Sequence, residues 1–246
     1  MPAEPNHIAA RAGIAAVVCN IAGVFALTGI DQAYQPGGLD RWYYAATQHV
    51  AGQGWSAWLF AIGVLLLVPW AAGLTRVLGP YAWPGGALVI TGAALNVLGS
   101  LLPFVVVTAV PHGEAVLGQT LLGLALVLDA MFNLALGVGI VLLSFAMARD
   151  HHFPMWMSGL GLLAGMATAP VVTQAWSPLG GVLLMVAGPL WLGWVVAVSF
   201  RLTNLKWESW DSRRSAPELN RLPLATPMDR SGQAGGRADD RPSPAR

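Results

Sequence analysis

Residues 117–148 read LGQTLLGLALVLDAMFNLALGVGIVLLSFAMA, a run of thirty-two in which Asp129 is the single charge. A helix needs about 20 apolar residues to cross a hydrocarbon core about 30 Å thick. This run is therefore long enough to span with tilt or to project beyond the bilayer. A charge near the middle of such a helix costs about 2.5–3.5 kcal/mol on insertion scales, so it must face protein or water. Asp129 is for that reason the first functional candidate in the chain.

Working outward, five more stretches have the length and apolarity of spans: approximately 12–30, 55–78, 84–110, 155–175 and 179–200. The fold class expected is all-α, a polytopic transmembrane bundle of six helices. Composition agrees, since 55% of the 246 residues are hydrophobic and only 10% charged, against about 25% charged in soluble domains. Between Ile8 and Leu205 the acidic residues are Asp31, Asp40, Glu114, Asp129 and Asp150, and the basic ones Arg11, Arg41, Arg76, Arg149 and Arg201. All but Asp129 fall at span ends or between spans. A net charge of +1 without a basic, aromatic-interleaved stripe gives no footprint for nucleic acid. The lone cysteine, Cys19, excludes an internal disulfide and a CxxC pair, and reads as a small apolar filler.

Residues 1–11 are expected as a cytoplasmic amino terminus, with the first span an uncleaved anchor because its apolar part exceeds a usual signal-peptide core. Placing that terminus inside puts Arg11, Arg76, Arg149, Arg201, Lys206, Arg213 and Arg214 on the cytoplasmic side and leaves Arg41 outside. Trp42, Trp55, Trp58 and Trp176 then gather at the outer boundary, and Trp83, Trp156, Trp207 and Trp210 at the inner one. Within the first outer loop, Leu39, Trp42, Tyr43, Ala46 and Val50 recur at helical spacing, which predicts an interfacial helix over 39–50. The transmembrane domain is taken as 12–205. Residues 206–246, mixed in charge and rich in Pro, Gly and Ser, are expected as a disordered cytoplasmic tail. Twelve arginines against one lysine, with abundant Ala and Gly, point to a GC-rich bacterial genome and so to a bacterial inner membrane.

Counting to span midpoints places Asn20, Asn96, Asp129 and Asn133 at similar depth, with Asp129 and Asn133 one helical turn apart on a shared face. The first, third and fourth spans are expected to meet there. One reading is packing glue: interhelical hydrogen bonds in membranes average about 0.6 kcal/mol, and neighbouring glycines let backbones approach. A carboxyl in a dry bundle would then be a neutral acid donating to Asn96 or Asn20. The other reading is a proton or cation site, with Gly188-Pro189 at about the same depth offering a freed backbone carbonyl.

Histidines fall at His7, His49, His112, His151 and His152, all outside span interiors, which excludes a membrane haem with axial imidazoles. Lys206 lies beyond the last span, which excludes an intramembrane Schiff base. His112, Glu114 and His49, with Asp31 and Asp40, form a candidate metal set at the outer surface, since imidazole and carboxylate suit zinc, although no ligand spacing such as HExxH is present. His151-His152 is expected among lipid headgroups. Ser158-Gly159 lacks an in-membrane histidine to activate a nucleophile.

The run from Leu128 to Gly165 pairs a long helix and a basic turn with Phe-Pro-x-Trp opening a glycine-rich helix, through Pro154, Trp156, Gly161 and Gly165. This layout resembles a broad class of uncharacterised bacterial six-helix integral membrane proteins with a P-x-W-x-x-x-x-G-x-x-x-G stretch at the start of the fifth helix. The resemblance implies fold and location and transfers no activity. The role expected is a structural or accessory membrane component, with the lipid bilayer, a second copy or another membrane protein as partner and no cofactor. The alternative is a proton-coupled carrier of a small solute or ion at Asp129, and the third is an outer-surface metal-dependent enzyme.

Overall fold

The computed structural model describes residues 5–27, 38–109, 114–175 and 177–205. Over these the chain is all-helical, with seven α-helices: α1 (Pro5–Ala26), α2 (Gly38–Gln48), α3 (Val50–Leu78), α4 (Trp83–Ala109), α5 (Ala115–Ala148), α6 (Met155–Thr168) and α7 (Pro178–Thr203). Six helices are long and apolar enough to cross a membrane, the fifth of them counting α6 together with the 3-10 segment Ala169–Ala175 that continues it. The chain is thus a membrane-embedded bundle. The expected tail, 206–246, lies outside the described residues.

The helices begin and end for local reasons. Gly79 sits at φ 79°, a left-handed conformation that suits glycine, and its N–H reaches back to the Thr75 carbonyl at 2.9 Å. Pro80 follows, lacks an N–H and cannot prolong α3, so the chain makes one 3-10 turn and starts α4. Two boundaries move from the sequence expectation. α1 starts at Pro5, seven residues before Ala12, because an uncharged apolar run ends at Arg11 whereas the helix continues back through Arg11, Ala10 and Ala9. α3 starts at Val50, with His49 the one residue between it and α2.

Each spanning helix packs on its neighbours in sequence, α1 on α3, α3 on α4, α4 on α5, α5 on α6 and α6 on α7, and α7 returns to α1. The six spans therefore close into a ring. Part of its interior is an apolar core: Trp70 of α3 meets Trp194 of α7 edge-to-face with ring centroids 5.6 Å apart, among Leu67, Leu74, Leu136 and Ile140, all fully buried. Backbones touch where side chains are missing. A Cβ on Gly85 would stand 2.9 Å from the Gly139 carbonyl oxygen, and one on Gly139 would stand 2.9 Å from that of Gly85, so α4 and α5 cross at reciprocal glycines. The large apolar side chains facing away from the ring, among them Val18, Phe25, Leu98, Leu163 and Met185, are exposed, as lipid-facing residues are.

At one end of the ring α2 lies on α4 and α5. Trp42 and Ala46 are buried there against Val106, Leu122, Ala125 and Leu126. Gln119 of α5 donates to the Asp40 carboxylate, and the Tyr43 ring takes the space left by Gly118. The helix expected over 39–50 is α2, which ends at Gln48 while Val50 opens α3, and it has a protein surface under it as well as an exposed face carrying Tyr44 and Gln48.

Candidate functional site: a carboxylate among three amides

Asp129 lies on the face of α5 that α4 approaches, and small residues bring the two helices together around it. Gly99 of α4 sits against Leu128 and the Ala125 carbonyl, and Gly92 against Phe132 and Ala135. Asn96, between those glycines, is 5% exposed and donates from Nδ2 to Asp129 Oδ1 at 2.7 Å. Ser100, one turn further along α4, donates to Asn96 Oδ1 at 2.9 Å. Pro103 removes the N–H that would have bonded the Gly99 carbonyl, so the α4 ladder is interrupted next to this chain of contacts.

The other carboxylate oxygen has two donors. Asn133 Nδ2 lies 3.0 Å from Asp129 Oδ2 and 2.8 Å from the Asp129 backbone carbonyl. A carbonyl oxygen only accepts, so the Asn133 atom facing it must be the nitrogen, and Oδ2 must be accepting from the same nitrogen. The second donor is Gln174 Nε2. Gln174 arrives because α6 does not run on as an α-helix: Pro170 supplies no N–H, residues 169–175 tighten to 3-10 geometry, and α7 seals the segment with Gly180 against the Gln174 backbone. Asn133 and Gln174 are buried at 2% and 3% exposure, while Asp129 itself is half-buried. Among the described residues no basic side chain bonds Asp129.

The structure brings Asn96 and Asn133 to Asp129 and does not bring Asn20. Asn20 is buried between α1 and α3, where its Nδ2 donates to the Ala16 carbonyl at 2.8 Å and fills the space beside Gly63. The expectation that the first span joins this cluster is corrected: α1 packs between α3 and α7, away from the α4–α5 seam. Similar depth does not fix a helix's place around a ring. Gln174 and Ser100 are the members that sequence reading missed. Gln174 stood at the end of a predicted span, and only Pro170 signalled that the helix would change before reaching it.

Of the candidate metal set, His49 and Glu114 are exposed, Glu114 at the start of α5 with no side-chain capping bond, and His112 and Asp31 lie outside the described residues. Asp40 is engaged by Gln119. In the P-x-W-x-x-x-x-G-x-x-x-G stretch, Pro154 precedes α6, Trp156 is exposed, Gly161 admits Ser144 and Trp194, and Gly165 admits the Gly137 carbonyl. Its glycines are packing positions. Fold and site together define a polytopic α-helical membrane protein with one half-buried carboxylate inside its ring. Comparison with protein-family models, curated proteins and solved structures finds no match.

Proposed function

We propose that this membrane protein carries a small solute or ion, with Asp129 as the group that takes up and releases a proton or small monovalent cation. One observation carries the reading: the carboxylate meets three amides and no basic side chain among the described residues. An anion without a counter-charge in a low-dielectric interior favours binding a cation over remaining bare. The amides tolerate both states. With Oδ2 committed to Asn133 and Gln174, a proton goes to Oδ1, facing Asn96. A half-turn of the Asn96 amide then presents its oxygen to the new O–H and its nitrogen to Ser100 Oγ, which can accept as well as donate. The 3-10 segment at Pro170, and the backbone bond missing at Pro103 within the continuous α4, resemble the irregular elements at which transporters hold ions.

A second reading rests on the origin of the three donors. They come from α4, α5 and the 169–175 segment, so Asp129 ties three elements together, as a structural or accessory component would require. Proteoliposomes loaded with a pH-sensitive dye separate the two. Carriage at Asp129 predicts proton movement driven by an imposed gradient or by added solute, abolished by Asp129→Asn while the protein stays folded and monodisperse. Unchanged flux in the folded variant refutes it.

The setting proposed is a bacterial inner membrane with both termini cytoplasmic, supported by the distribution of arginines about the spans. A second copy or another membrane protein is the partner proposed for the lipid-facing surface.

A further inference from the structure

We propose that the turn between α5 and α6 binds a divalent transition-metal ion through His151, His152 and Asp150. The site lies at the end of the ring opposite α2 and does not depend on what Asp129 does.

The backbone of the turn is fixed before any ion arrives. Asp150 N–H bonds the Met147 carbonyl at 3.0 Å and Phe153 N–H bonds the Asp150 carbonyl at 3.2 Å. Phe153 anchors the turn in the core at 4% exposure. From α7, Arg201 Nε donates to the His152 carbonyl at 2.7 Å. Arg149, the nearest cation in sequence, lies over the Tyr81 ring at 5.7 Å.

On this frame three donors converge. Asp150 Oδ1 accepts from the His152 backbone N–H at 2.8 Å and lies 2.7 Å from His152 Nδ1. The His151 and His152 rings stand with centroids 4.0 Å apart, inclined by 37°. One ligand atom from each of the three residues lies within 4.8 Å of the others. Tetrahedral zinc with bonds of about 2.0–2.1 Å holds its ligand atoms about 3.3 Å apart. Closing the set therefore takes up to about 1.5 Å of movement, mostly by the exposed His151 ring, while the Asp150–His152 contact opens from 2.7 Å as the ion replaces the proton between them. Two imidazoles and a carboxylate select zinc, copper or nickel over magnesium or calcium, leaving a position for water. Ring packing of His151 on His152 brings the third donor beside the Asp150–His152 pair, which completes a set an ion can use.

The test is isothermal titration of the whole protein, purified in detergent through a tag that contains no histidine, with Zn²⁺ and separately Ni²⁺. The expected result is one saturable site per chain, absent for Mg²⁺. His151→Ala and His152→Ala should each weaken it about tenfold or more, while His7→Ala, His49→Ala and Cys19→Ser leave it intact. Because His151 is exposed, His151→Ala should melt like the wild type without metal but lose the rise in Tm that Zn²⁺ gives the wild type. No saturable binding, or binding that survives replacement of both histidines, overturns the proposal. Neither outcome bears on flux through Asp129.

Discussion

At position 129 asparagine is a close imitation of the protonated acid, and that is why Asp129→Asn is the informative change. Its side-chain oxygen can accept from Asn133 and Gln174, its NH₂ can face Asn96, and Asn96 can reverse onto Ser100, so every group keeps a partner. The expected cost is within about 1 kcal/mol, near the average of membrane hydrogen bonds, and thermal unfolding in detergent should place Tm close to wild type. Asp129→Leu leaves three amides without their acceptor and is expected to cost about 2 kcal/mol or more, with a clearly lower Tm. If leucine melts no lower than asparagine, the three bonds contribute nothing and the cluster is not a structural tie. The sequence disclosed only part of this set. Asp129, Asn96 and Asn133 stand out as polar groups in apolar runs, whereas Gln174 is ordinary at a span end and becomes a ligand of the carboxylate only through the 3-10 geometry of residues 169–175.

At the scale of the helices, existence was legible and contact was not. Hydropathy located the six candidate spans found among the described residues, because lipid imposes about 20 apolar residues on each. It could not foresee that Pro170 would tighten the end of the fifth span, since proline in a membrane helix either kinks or breaks it depending on what its neighbours supply. The spacing of Leu39, Trp42, Tyr43 and Ala46 announced a helix with an apolar face, but not that this face would settle on α4 and α5. Glycines carry the same ambiguity, and the structure sorts them. Gly139 has the Gly85 carbonyl oxygen 2.9 Å from where a Cβ would stand, and a backbone oxygen cannot rotate away. Gly139→Leu is therefore expected to push α4 from α5 and lower stability by about 1–3 kcal/mol, read by thermal unfolding. Gly159 has nothing within 4 Å of its Cβ position, so Gly159→Ala should leave Tm within experimental scatter or raise it slightly. Equal sensitivity at the two positions would mean that the α4–α5 crossing is not the close contact described.

For the whole molecule, ring order follows chain order: each span lies beside the next, and α7 closes on α1. Depth along the membrane can be counted from sequence, but position around a ring cannot. That is why Asn20 could be placed level with Asp129 and still belong to another interface. The sidedness proposed for the ring rests on charge. Among the described residues Arg11, Arg76, Arg149 and Arg201 lie at or near one set of span ends and Arg41 alone near the other. If the basic side is cytoplasmic, α2 faces outward and the Gly79–Pro80 turn faces inward. In a Cys19→Ser background, Ala45→Cys should react in intact cells with a membrane-impermeant maleimide. Tyr81→Cys, whose position is 72% exposed, should react only after the membrane is opened. Because α3 separates the two positions by one crossing, the reverse pattern inverts the topology, and labelling of both in intact cells removes that crossing altogether. The inverted result would also move the His151–His152 turn to the outer face, where its metal would be drawn from outside the cell rather than from the cytoplasm.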